Sequence, residues 1–149
     1  MQDATVRSLC CRVHGRLAAI ALSHVIETMR PLAIQPMTRS PAFVLGVSMI
    51  RGQPVPVVDL GLLLAGRISS PSRYVTLRVE NRAVALAVEE VVGVMTVTEE
   101  SLAQMPPLLR DSGAELVSAI GSLDAELLIV LNAARVFPES LLSETEAVT

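Results

Sequence analysis

Aromatic side chains are almost missing from this chain: Phe43, Tyr74 and Phe137 are the three in 149 residues, and there is no tryptophan. Any core must therefore be aliphatic, and the stacking platforms that single-stranded nucleic acid needs are lacking. Runs of Lys or Arg are missing too, and the net charge is −3. Nothing builds the positive footprint that a phosphate backbone requires, so no nucleic-acid partner is expected. No apolar stretch approaches the roughly 20 residues that span a bilayer, so no membrane insertion is expected. The N-terminal segment, with Asp3 and Arg7 near an apolar stretch, lacks the layout of a signal peptide. Cys10 and Cys11 are the only cysteines. Adjacent strand residues face opposite ways, which argues against a mutual disulfide and for a reducing, cytoplasmic compartment. Arg7 and Arg12 lie near these thiols, but an apolar strand makes a packing role the better reading.

Catalytic and cofactor signatures are equally sparse. There is no Gly-rich phosphate loop, no His and Glu at zinc spacing and no serine nucleophile elbow, so no cofactor and no metal is expected. His14 and His24 lie ten apart with no carboxylate cluster beside them, which fits strand-face histidines better than ligands. Glu89 with Glu90, and Glu99 with Glu100, read as solvated charges at strand ends, because alternation sends neighbouring carboxylates to opposite faces.

What the chain does have is a hairpin pattern. From Phe43 to Leu60, two β-branched apolar runs flank a break at Arg51 and Gly52, where glycine supplies the positive φ of a tight turn. Pro54 and Pro56 are two apart, so their missing N–H groups share one side of a strand, which predicts an unpaired edge there. Both faces of that strand are apolar and should be covered.

The chain also repeats itself. Val13 to Met29 aligns with Val79 to Met95 at a shift of 66 without a gap, matching Val13, Arg16, Ala19, Ala21, Val25 and Met29 to Val79, Arg82, Ala85, Ala87, Val91 and Met95. The hairpin recurs less closely at a shift of 73, with Leu116 to Ala133 matching Phe43 to Leu60. Residues 6–13 and 17–29 read as strands, Ile34 to Pro41 as a loop, and Gly61 to Arg73 as the connector between copies. Tyr74 to Val79 and Ala83 to Val97 open the second copy. Thr98 to Glu115 reads as a long surface loop, Leu116 to Leu131 as the second hairpin, and Asn132 as the cap of a short helix through Phe137.

Short strands with close turns, arranged twice, predict a mostly β domain spanning residues 1–149: two five-stranded β-barrels side by side, the first over 6–66 and the second over 67–132. A C-terminal helix and acidic tail over 133–149 would follow. Each copy is marginal alone, so an apolar contact should join them, with the groove between copies as the natural binding surface. One enzymatic alternative rests on Val57 Val58 Asp59 Leu60 Gly61, which is similar to an aspartic-protease motif. Leu60 stands where a hydroxyl is needed, and the duplicate of Asp59 is Asn132, which offers no second acid.

The run Phe43 Val44 Leu45 Gly46 Val47, then Ile50 Arg51 Gly52, then Pro56 Val57 Val58 Asp59 Leu60, resembles the CheW-like chemotaxis coupling family. Ile20 through Arg30, Ser40 to Phe43, Val84 to Val91 and Ala119 to Asn132 extend the resemblance from about Val13 to Phe137. It implies SH3-like barrels, no catalysis, and a cytoplasmic adaptor recruited to chemoreceptor arrays, coupling a receptor's helical signalling tip to the regulatory domain of a CheA-type histidine kinase. By motif match it implies receptor-facing roles for Val25, Glu27, Arg51, Val47, Ala85 and Val88, and kinase-facing roles for Leu102, Ala103, Met105 and Leu108. The sequence departs from the family at Met49, where Asn is usual, at Ala85, where Gly is typical, and in the loop before Pro106, which lacks a basic side chain. That loop keeps open a divergent paralogue that binds receptors without recruiting kinase.

Overall fold

The computed structural model describes residues 5–98, 102–103, 116–123 and 126–137. Eleven strands are seen among them: β1 (Thr5–Val13), β2 (Arg16–Ala21), β3 (Val25–Met29), β4 (Val44–Ile50), β5 (Gln53–Asp59), β6 (Arg73–Val79), β7 (Arg82–Val88), β8 (Glu90–Thr98), β9 (Leu102–Ala103), β10 (Val117–Leu123) and β11 (Glu126–Leu131). One helix, α1 (Leu60–Ala65), follows β5. They form two SH3-like barrels. One sheet has the order β8-β1-β2-β11-β10-β9 and the other β3-β6-β7-β5-β4.

The repeat is present in the backbone down to its irregularities. Val13 pairs with Arg16 as Val79 pairs with Arg82. Along β3, Val25 faces Leu77 and Glu27 faces Thr76, skipping Ile26; along β8, Val91 faces Cys11 and Gly93 faces Cys10, skipping Val92. These are the same bulge, 66 residues apart. The hairpins agree as well, each with an irregularity, between Val44 and Gly46 in one and Val117 and Ala119 in the other.

The barrels do not coincide with the copies, which corrects the expected boundaries of 6–66 and 67–132. β1 and β2 pair with β8 and β11 of the second copy, while β6 and β7 pair with β3 and β5 of the first. Each copy thus lends its opening hairpin to one barrel and its later strands to the other. The crossovers occur where the two long predicted strands break, at the 3-10 turn Leu22–His24 and at Glu89. Neither break contains Gly or Pro, so the apolar run reads as continuous until partners pull its halves apart. Glu89 fixes its break by accepting from the backbone N–H groups of His14 and Ser70, while its own N–H donates to the Arg12 carbonyl.

Exchange leaves three cores. Cys10, Leu17, Ala19 and Leu128 fill one barrel, and Ile50, Val55, Val57, Tyr74, Ala85 and Ala87 fill the other. The largest cluster lies between them: Leu9, Cys11, Val13, Ala18 and Ile20 meet Val58, Val75, Leu77, Val84, Leu86 and Val88, together with Val136 and Phe137. Alternation along β7 explains its sequence, since alanines at 83, 85 and 87 face the narrow barrel and larger aliphatics at 84, 86 and 88 face the seam. Cys10 and Cys11 face different cores and are unpaired with each other.

The connector holds α1, capped by Asp59, which the polar residues after it concealed. β5 lies between β7 and β4, but it meets β7 only from Val57 to Asp59, so Pro54 and Pro56 do sit on a half-strand with one open side. Asn132 caps only a 3-10 turn over Ala133–Arg135, in place of the helix expected through Phe137, and residues 138–149 lie outside the described residues.

Candidate functional site

β3 and β4 are the two outer strands of their sheet, and no backbone ladder joins them. A side-chain pair crosses that opening. Arg51, at the tight β4–β5 turn with φ +52, donates from Nε to Glu27 Oε2 at 3.0 Å and from Nη2 to Oε1 at 2.6 Å. The two-pronged geometry matches a guanidinium to a carboxylate. The Arg51 hydrogen bond holds the Glu27 carboxyl below its ordinary value, with partial burial working against it, and the same bond raises Arg51. Glu27's side chain is 25% exposed and Arg51's 77%, so the guanidinium is the part a partner would meet first.

Earlier on the same hairpin as Arg51, Val47 and Met49 line a shallow, mainly apolar groove of about 540 Å³ together with Leu32, Ile34 and Pro36 among others. Its wall is the segment after β3, stitched to the sheet at three points. Gln35 exchanges backbone hydrogen bonds with Val47 at 2.8 and 2.9 Å, Ser48 Oγ donates to the Ala33 carbonyl at 2.9 Å, and Tyr74 Oη donates to the Leu32 carbonyl at 3.2 Å. Gly46 permits this approach, because a Cβ there would lie 2.3 Å from the Gln35 oxygen. Met49 is 62% exposed on the groove's edge.

The residues marked from sequence divide accordingly. Glu27 and Arg51 are brought into contact, Val47 lines the groove, and Val25 is half-buried at the rim of the inter-barrel core. Ala85 and Val88 are corrected: both are fully buried, Ala85 inside one barrel and Val88 in the seam, because β7 is covered on both faces. The seam itself is packed with side chains, so the open surface lies along its rim and on the outer face of β4. Leu102 and Ala103 form β9 against Gly121 and Ile120, while Met105 and Leu108 lie outside the described residues. Leu32, Ile34, Pro36 and Met49 were not marked, although the spacing of Val47 and Met49 along one strand face was a usable signal.

Among the described residues Asp59 faces no second acid, and both its oxygens are taken up by structural donors, which overturns the protease alternative. It is fully buried, accepting from Leu62 N–H at 3.0 Å, Ser69 Oγ at 2.9 Å and Ser69 N–H at 3.2 Å. His14 Nε2 is 2.9 Å from the Arg67 carbonyl oxygen, and His14 Nδ1 is 4.0 Å from Glu89. Among the described residues no three His, Cys, Asp or Glu side chains are grouped as a metal would need, and no helix is long and apolar enough to cross a membrane.

The sequence model of the CheW-like domain matches residues 7–140. The chain belongs to the CheW-like family. It is 31% identical over 114 residues to the probable chemotaxis protein CheW of Rhizobium etli, covering 74% of this chain and 70% of that protein. It is 28% identical over 123 residues to the protein FrzA of Myxococcus xanthus, covering 78% and 76%. In fold it is similar to the scaffolding protein TtCheW of Thermoanaerobacter tengcongensis, with a TM-score of 0.79, 21% identity and coverage of 91% and 90%. The family is thus one whose named relatives include chemotaxis proteins, and the structural neighbour is described as a scaffolding protein.

Proposed function

We propose that this family member is a cytoplasmic coupling adaptor that holds the helical signalling tip of a chemoreceptor and brings a CheA-type histidine kinase to it. The observation carrying the reading is the Arg51–Glu27 pair, its exposed guanidinium on the hairpin whose Met49 and Val47 line the apolar groove. Apolar side chains can bury one face of an amphipathic helix, while a fixed charge pair sets its register. Val25 extends the surface toward the seam. Leu102, Ala103, Met105 and Leu108 remain the kinase-facing candidates.

The test is capture of purified receptor signalling tip and of the kinase regulatory domain by the full chain and by Arg51→Glu. Retention of both partners by the native chain, with receptor capture weakened in the variant and melting unchanged, supports the reading. Capture of receptor alone identifies the paralogue that does not recruit kinase, and capture of neither removes the coupling role.

A further inference from the structure

The two copies carry one bulge with two different supports. In the β8 copy the residue after the bulge is Gly93, with φ +147, a conformation that side chains rarely adopt. In the β3 copy the same position is Glu27, which keeps a negative φ and carries the carboxylate of the pair. Opposite Gly93 stands Cys10; opposite Glu27 stands Thr76, at the equivalent place and 3% exposed. The Thr76 hydroxyl donates to the Glu27 carbonyl at 3.1 Å and accepts from the Glu27 N–H at 3.2 Å. One side chain thus satisfies both backbone groups of the residue it faces, at the point where the strand register slips.

We infer that Thr76 is a positioning residue: its hydroxyl clamps the β3 bulge in a form that tolerates a side chain at position 27, and so aims Glu27 at Arg51. A barrel-lining position otherwise suits an apolar side chain, as its neighbours in this core show. The hydroxyl stays because the bulge needs a donor and an acceptor together. The consequence for receptor binding rests on the function proposed above; the clamp itself does not.

The test follows the Glu27 carboxyl by NMR titration in the full chain, in Thr76→Val and in Thr76→Ser, with Glu27→Gln identifying the signal. Thr76→Val keeps the shape and removes the hydroxyl, so the Glu27 titration should move up toward an ordinary glutamate, and Thr76→Ser should restore it. Receptor-tip affinity should fall about tenfold in Thr76→Val and recover in Thr76→Ser, the scale of one to two hydrogen bonds. Should Thr76→Val not fold, Thr76→Cys, which carries the weakly bonding side chain of the sister position, is read in its place with the same expected rise. An unmoved titration, or one that serine does not restore, overturns the inference even where receptor binding falls. A moved titration with unchanged receptor binding in Thr76→Val and Arg51→Glu upholds the clamp and removes the receptor reading.

Discussion

Asp59 and Asn132 stand at the same position in the two copies, each at the end of its hairpin and each turning a side-chain oxygen onto the backbone of the helical turn that follows. Asp59 does more, since both its oxygens are engaged and Ser69 supplies two of its three donors. Asn132 makes one capping bond, to Ala134 N–H at 3.1 Å, and is only half-buried. Asp59→Ala should therefore cost about 3 kcal/mol, a cap plus buried donors left unpaired, and Asn132→Ala about 1 kcal/mol. Urea unfolding of both variants checks this, and equal costs would mean that the Ser69 contacts contribute nothing.

Gly46 and Gly93 share nearly the same φ, +146 and +147, but not the same surroundings. A Cβ at Gly93 meets nothing within 4 Å, whereas at Gly46 it lies 2.3 Å from Gln35 oxygen and 2.6 Å from Ile34 Cγ2. Gly93→Ala should show backbone strain alone, about 1 to 2 kcal/mol. Gly46→Ala should add about 1 to 3 kcal/mol of overpacking and loosen the groove wall. Thermal melting gives the difference, and hydrogen exchange at the Val47 amide, which donates to Gln35, locates it.

The duplication and the hairpins are readable because turn residues and alternating apolar positions are local properties. Which barrel a strand joins is not local: nothing in Val25 or Val91 says that each will pair with the other copy, on Leu77 and Cys11. Helix α1 was hidden because Leu60 to Ala65 is a short apolar run before a polar stretch, although Asp59 was a legitimate capping signal. Glu27 and Arg51 were each marked, but their contact spans 24 residues and depends on barrel closure. Ala85 and Val88 were misplaced since an all-apolar strand does not say which of its faces, if either, is exposed.

Cys10 and Cys11 should behave as core residues. Burial pushes both thiols above the ordinary 9.0, and Cys11, with its neighbour's charge adding to the effect, reaches about 12. Little thiolate exists at pH 8, and no reagent has a path to it. Native protein should label with an aromatic disulfide reagent only as fast as it unfolds, with both thiols reacting at once in denaturant. Fast labelling of one thiol in the folded protein would show that its strand opens on its own.

The Arg51–Glu27 pair should carry a pH signature and resist repair by charge reversal. Glu27's carboxyl is held below its ordinary value, so whatever the pair contributes is complete above that ordinary value and is lost as pH falls through the lowered one. Receptor-tip binding should be flat from neutral pH into mild acid and then fall, while Arg51→Glu should be weak throughout. Combining Glu27→Arg with Arg51→Glu rebuilds an ion pair across the same opening but presents the opposite charge outward. If the partner reads the guanidinium, as its 77% exposure suggests, the double variant should melt like the native chain and still bind poorly. Full recovery of binding in the double variant would instead make the pair a brace between β3 and the hairpin turn, with the apolar groove alone meeting the receptor.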